Sequence, residues 1–248
     1  DITRQYHLGE AKRDFVANVS HELRTPLTVI SGLLEQSVIA EGDANTRKRM
    51  TEMMQQQATR MRDLINDLLT LSRLEAKDPS LRDEHVAVPA LLEEIVAEAH
   101  SLAAGSGHVL QLHIQSSDGL RGNAIELRAA FSNLVTNAIK HTPSRSEVHI
   151  RWTVDATGAH LSVRDTGGGI PARHIPRLTE RLYRVDASRS RDTGGTGLGL
   201  AIVKHALDQH GANLEINSTE GRGSTFTCHF PLVSIIAGGL GEESPVSS

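Results

Sequence analysis

The spacing of apolar residues gives the chain two textures. From residue 4 to about 40, Leu8, Ala11, Phe15 and Val19 recur at three- and four-residue steps, and Leu27, Ile30 and Leu34 resume the series after Pro26. That is the period of an amphipathic helix. Glu41-Gly42-Asp43-Ala44-Asn45 reads as a turn, and Thr46 is placed to cap a second helix. In that helix Met50, Gln57, Leu64 and Leu71 stand seven apart, and Met54, Met61, Leu68 and Glu75 form a second seven-spaced series. These near-heptads are the pattern of helices packed side by side. Two long helices with a short link predict a hairpin. A lone hairpin leaves much of its apolar stripe open, so the pattern predicts two chains pairing into a four-helix bundle. An ordinary coiled-coil linker is the plainer alternative.

Lys77-Asp78-Pro79 stops the second helix, and a domain boundary is expected within residues 76–84. Beyond it, residues 88 to about 104 have a helical period and residues 109–114 alternate like a strand. Asn123 is placed to cap a helix running through Leu127, Phe131, Leu134, Val135 and Ile139. Residues 148–154 and 160–165 read as strands, 196–210 as a helix, and 214–218 and 224–230 as closing strands. Helices and strands mixed through short links predict a helical layer on one mostly antiparallel sheet, hence an α+β chain. From Ser234 onward Gly, Ser and Glu dominate and disorder is expected.

Composition narrows the classes. A length of 248 residues suits one or two domains. Hydrophobic content of 38% and charged content of 23% suit a globular chain. The net charge of -4 argues against a nucleic-acid partner. A single cysteine, Cys228, excludes an intramolecular disulfide and offers no metal-site spacing. No run of apolar residues is long enough to span a membrane, and no signal peptide opens the chain. It begins Asp1-Ile2-Thr3-Arg4 with no initiator Met, and is expected to be a fragment of something longer.

Four stretches carry candidate chemistry. Phe15, Val19 and Leu23 share one helical stripe, and His21 lies roughly 200° around the helix from Val19 at about 100° per residue. It points to water. Glu22 follows it, and Pro26 is expected to bend or open the helix one turn on. An exposed imidazole beside a carboxylate and a bend reads as a nucleophile on a hinge, against the plain reading of a solvated histidine. Asn133, Asn137 and Lys140 share a helical face. Amide oxygens there suit Mg²⁺ and the lysine suits phosphate, against the plain reading of a solvated face. Asp165-Thr166-Gly167-Gly168-Gly169-Ile170 ends a strand in glycines that let backbone approach a ligand, with a carboxylate able to accept from an adenine amine. Gly195-Thr196-Gly197-Leu198-Gly199 leads into a helix start that favours phosphate. It lacks the Lys-Ser/Thr ending of a P-loop and the βαβ setting of a dinucleotide fingerprint. The long connection between these glycine stretches is rich in arginine and reads as a mobile lid over a polyphosphate, or as a solvated loop.

The order His21-Glu22-Leu23-Arg24-Thr25-Pro26-Leu27 resembles the phospho-acceptor box of bacterial sensor histidine kinases. The later pieces resemble the ATP-binding domain shared by histidine kinases, gyrase, Hsp90 and MutL. Residues 133–141 look like its N box, 165–170 and 195–199 its glycine boxes, 180–186 its F box with Leu182 where Phe is usual, and 221–226 its closing hairpin. Within the family, residues 67–75, 172–181 and 198–205 are similar to the sensor kinases of phosphate regulons, and the opening four residues to the end of a sensory PAS domain.

The resemblance implies a dimerisation and histidine phosphotransfer domain over residues 1–78, an α/β sandwich ATPase domain over 79–233, and a disordered tail over 234–248. It implies that ATP phosphorylates His21 with Glu22 assisting, and that the group passes to an aspartate on a response regulator receiver domain. Thr25 would orient a water that dephosphorylates the regulator. Asp165 would read adenine, with Gly167, Gly169 and Ile170 around it. Asn137, assisted by Asn133, would hold Mg²⁺, while Lys140, His141, Tyr183, Arg184, Gly195, Thr196, Gly197, Leu198 and Gly199 surround the nucleotide. A homodimer and a cytoplasmic place beneath an inner-membrane anchor absent from this chain are implied as well. The alternative is an ATP-driven conformational clamp in which His21 is structural, or a scaffold that binds nucleotide weakly. A serine kinase is disfavoured, since no H-R-D or D-F-G set is present.

Overall fold

The computed structural model describes residues 2–39, 44–75, 84–185 and 195–238. They fall into two compact units: residues up to Leu69 with 194–196, and the remainder from Thr70.

The first unit is a pair of helices, α1 (Ile2–Ile39) and α2 (Ala44–Glu75). The expected opening at Pro26 does not occur: helix runs unbroken through it. Proline deletes one rung of the helical ladder, and the ring is buried, so packing offsets the loss. Thr46 is not a cap but lies inside α2, and the turn residues 40–43 fall outside the described residues. Phe15, Val19 and Leu23 are half-buried and Leu64 is buried, as the helical period predicts. Leu27 and Leu34 of the same series are exposed, as are Val16, Met53, Ile65 and Leu69.

The second unit contains β1 (Glu84–Val86), α3 (Val88–Ala103), β2 (Val109–Ile114), β3 (Gly119–Gly122), α4 (Ala124–Lys140), β4 (Glu147–Asp155) and β5 (Gly158–Asp165). It continues with α5 (Gly199–Gln209), β6 (Asn213–Thr219), β7 (Gly223–Phe230) and β8 (Ile235–Ile236). The main sheet has the order β2-β4-β5-β7-β6, parallel at β2–β4 and antiparallel elsewhere. Its strands alternate. Val148, Ile150 and Trp152 of β4, Leu161 and Val163 of β5, and Phe226, Cys228 and Phe230 of β7 join Leu92, Phe131, Leu134 and Val203 of the helices in one core. Residues between them, such as His149, Arg151, His160, Ser162, Arg164, Thr225, Thr227 and His229, lie on the opposite, polar face. This is the pattern of an antiparallel sheet covered on one side. Trp152 is wholly buried and its indole N–H donates to Asp118 O at 3.0 Å, so its one polar group is satisfied.

Asn123 caps α4, its side chain accepting the amides of Ile125 and Glu126 at 2.9 and 3.2 Å. The helix expected from Thr196 starts only at Gly199, because Gly197 sits at φ 75°, outside helical space. A second sheet, β1-β3-β8, goes beyond the sequence expectation. Strands this short show no readable alternation. One of them corrects the expected tail: Ile235 pairs with Leu120 and Ile236 with Gly119. Within the connection expected as a lid, residues 172–177 form a 3₁₀ helix; Arg189, Arg191 and residues 239–248 lie outside the described residues.

Candidate functional site

His21 is exposed on α1, on the side away from the half-buried Phe15, Val19 and Leu23. Its neighbours are already engaged. Glu22 receives Arg60 Nη2 of α2 at 2.9 Å, and the Arg60 side chain is only 11% exposed. That contact engages one carboxylate oxygen, Oε2. The Thr25 hydroxyl donates to His21 O at 3.2 Å, which leaves its oxygen lone pairs for a water. Arg60 was not anticipated: its partner lies 38 residues away, and only the pairing of the two helices brings them together.

In the second unit, α4 organises the candidate nucleotide site. Asn133 Nδ2 donates to Ala129 O at 2.8 Å, which turns Oδ1 toward the start of α5. A methyl group on Gly199 would lie 2.6 Å from Asn133 Oδ1 and 3.5 Å from Asn137 Nδ2. Only glycine lets the helix start come this near the paired amides. Asn133, Asn137 and the α5 N-terminus are therefore brought together. Amide oxygens beside open helix-terminal N–H groups fit a hard divalent ion with phosphate.

One turn past Asn137, α4 meets the end of β5. A methyl on Gly167 would lie 2.6 Å from the Thr142 methyl and 2.9 Å from Asp165 Oδ1. Asp165 is buried, and its Oδ1 accepts the amides of Gly167 at 2.8 Å and Ser224 at 3.3 Å. Burial nevertheless pushes the carboxyl above its ordinary range. A carboxylate held this way is primed to accept a ligand's N–H. Gly169 lies at φ 68° against the Thr219 carbonyl, and the Ile170 amide donates to Ser218 Oγ at 2.8 Å. The closing hairpin thus braces the first glycine stretch. Neither Ser218 nor Ser224 was singled out from sequence, although Ser224 lies in the hairpin motif that was.

The 3₁₀ segment carries the remaining residues. Tyr183 Oη meets His174 Nδ1 at 2.7 Å, and the Arg177 guanidinium lies 4.2 Å from the Tyr183 ring centre. Leu182 adopts φ 63° and its amide donates to Gly197 O at 2.8 Å, which ties the F-box stretch to the second glycine stretch. Leu198 is buried. His141 titrates below its ordinary range because the fold desolvates it and Lys140 and Arg184 add positive charge. The same charges place cationic groups at the C-terminal end of α4. Gly195 and Thr196 belong instead to the first compact unit. Thr142 was also missed; its hydroxyl donates to Ala138 O at 2.7 Å and contacts His108 Nε2 at 2.9 Å.

Comparison with known proteins matches both units. Residues 11–77 match the His Kinase A (phospho-acceptor) domain, and residues 122–234 match the histidine kinase-, DNA gyrase B- and HSP90-like ATPase family. The phosphate regulon sensor protein PhoR of Pseudomonas aeruginosa is 57% identical over 231 residues, which are 93% of this chain and 52% of that protein. The chain spans about half the length of the curated relatives it matches. Among solved structures, full-length ShkA in complex with AMPPNP superposes with a TM-score of 0.62 at 26% identity, covering 89% of this chain and 46% of that one. Histidine kinase ThkA in complex with response regulator TrrA gives 0.69 at 19% identity, over 92% and 63%, and speaks for the fold. With a phospho-acceptor match over the helical hairpin and an ATPase match over the α/β unit, the chain belongs to the sensor histidine kinases.

Proposed function

We propose that this chain transfers the γ-phosphoryl group of ATP to His21 and then to an aspartate of a response regulator, in two-component signalling of the phosphate-regulon kind. The observation that carries the reading is an exposed histidine inside a matched phospho-acceptor domain, followed in the same chain by a matched ATPase domain. Similarity to PhoR supports phosphate sensing, and the ThkA–TrrA complex supports a regulator as partner. The phosphotransfer domain covers residues 1–78, the catalytic domain 79–233, and the chain acts as a homodimer and as the cytoplasmic portion of an inner-membrane protein.

Asp165 receives the adenine amine, with Gly167, Gly169 and Ile170 forming the wall of that pocket. Asn133 and Asn137 hold Mg²⁺, which offsets charge on the phosphates when bound. Lys140 and His141 contact phosphate, the Gly197–Gly199 turn offers backbone N–H groups to it, and Arg184 reaches it from beside Tyr183. Phosphoryl transfer needs positioning and charge neutralisation more than covalent help. His21 attacks the γ-phosphorus through a neutral ring nitrogen as ADP leaves, and Glu22 takes or holds the proton of the other nitrogen. Thr25 orients the water that dephosphorylates the regulator.

The test is incubation with γ-labelled ATP and Mg²⁺, comparing the native chain with His21→Gln. Acid-labile, alkali-stable label on the native chain alone is the expected result. Equal label on both chains moves the acceptor elsewhere. ATP consumed without label on either replaces this reading with the conformational clamp.

A further inference from the structure

The polar face of the main sheet carries a histidine pair that nucleotide chemistry does not use. His160 of β5 and His229 of β7 stand directly opposite in register, with ring centres 5.0 Å apart. Their Nδ1 atoms face each other at 2.9 Å. Each Nε2 is turned outward onto a carboxylate, His160 to Asp155 Oδ1 at 3.2 Å and His229 to Glu215 Oε2 at 2.8 Å.

Hydrogen bonding assigns the protons. Asp155 Oδ1 also accepts the Thr157 amide and hydroxyl, at 2.7 and 2.6 Å, and Asn217 donates to Glu215 Oε1 at 2.8 Å. A carboxylate accepts, so the Nε2 facing each one donates its hydrogen. The two Nδ1 atoms then face each other across 2.9 Å with at most one proton to share, and an ion bridging the two nitrogens takes that proton's place. A histidine whose far nitrogen donates to a carboxylate is also the usual form of a metal-ligating histidine.

We propose that His160 and His229 form a binding site for a divalent transition-metal ion on the outer face of the ATPase sheet. Nitrogens 2.9 Å apart, at metal–nitrogen distances of about 2.0 Å, subtend an angle near 90° at the ion. That is the cis angle of tetragonal Cu²⁺ or Ni²⁺ coordination. Among the described residues no three His, Cys, Asp or Glu side chains converge on one point, so the remaining positions go to water. Asp155 and Glu215 orient the rings and balance the charge without touching the ion. The ion clamps β5 to β7, the strands whose other ends bring Asp165 to the Ser224 amide.

The test titrates the untagged full chain with Ni²⁺ by calorimetry and with Cu²⁺ by electron paramagnetic resonance. One equivalent with two coupled imidazole nitrogens is expected, lost in His229→Gln and in His160→Gln. His113→Gln, on the same face, should keep it. Glu215→Gln retains both ligands but loses one orienting carboxylate, and should bind 10- to 100-fold more weakly. Circular dichroism of each variant shows that it is folded. The same equivalent in native and His229→Gln chains, or no Cu²⁺ signal from two imidazoles, overturns the assignment.

Discussion

The two units differ in how completely each hides its apolar surface. In the α/β unit the sheet's inner face and three helices close over one core, in which Val88, Leu92, Phe131, Val148, Ile150, Trp152, Leu161, Cys228 and Phe230 are at most 1% exposed. In the helical unit, Val16, Leu27, Leu34, Met53, Ile65 and Leu69 remain between 44% and 57% exposed. One closes its apolar surface and the other leaves part of its own open. Apolar side chains left open on a two-helix unit suit packing against further helices, which a second copy of the chain would supply by symmetry. The unit that matches the phospho-acceptor domain thus leaves apolar surface open, and the unit that matches the ATPase family closes its own.

The largest expected effect breaks this contrast at the open stripe. Replacing Ile65 and Leu69 by Asp removes two apolar residues from each chain of a dimer. At about 1.5–3 kcal/mol for each apolar side chain buried, association should weaken more than about a thousandfold. Sedimentation equilibrium should show monomers whose α/β unit still melts cooperatively; an undisturbed dimer would place the interface elsewhere. Next comes the closed core. Trp152→Ala should destabilise the α/β unit by about 3–5 kcal/mol, and denaturant unfolding should show a shifted α/β transition with the helical one in place. Coincident shifts of both transitions would mean that the units are not independent.

The smallest effect sharpens the contrast inside the site. Burial raises the Asp165 carboxyl, so the folded state favours its protonated form. That stabilisation is complete at low pH, below the carboxyl's unfolded value, and is lost as pH rises through the raised folded value. At neutral pH the ionised group is a burden on the empty fold. Asp165→Asn keeps an oxygen for the Gly167 and Ser224 amides and removes the charge. The nucleotide-free chain should therefore melt higher at pH 7, with the gain fading on acidification, while ATP affinity falls about tenfold or more, or about 1.4 kcal/mol. Calorimetric binding and a melting series across pH check both signs. A lower melting temperature together with unchanged ATP affinity would remove Asp165 from the base pocket.

Periodic elements were legible in the sequence. The α1 and α2 stripes, the Asn123 cap and all five strands of the main sheet follow from spacing alone. The second sheet was not, because three strands of two to four residues contain too few positions to alternate. Ile235 and Ile236 look like part of a polar tail until β3 lies beside them. At the site, Asn133, Asn137 and Asp165 were visible as residue types in motifs. What holds them was not. Arg60 with Glu22, Ser224 with Asp165 and His108 with Thr142 are pairs separated by 38, 59 and 34 residues, and single-chain periodicity carries no information across such gaps.

By itself, then, the sequence determined the helical and extended segments, the one-sided burial of each, and the order of its glycine and amide motifs, since these depend on neighbours three or four positions away at most. Tertiary structure alone decided partners: that Glu22 is held by an arginine, that Gly199 meets Asn133, and that two histidines sharing a sheet face bring their Nδ1 atoms within 2.9 Å. Those are matters of strand register and helix pairing, which are set by burying the whole core at once rather than by any local stretch.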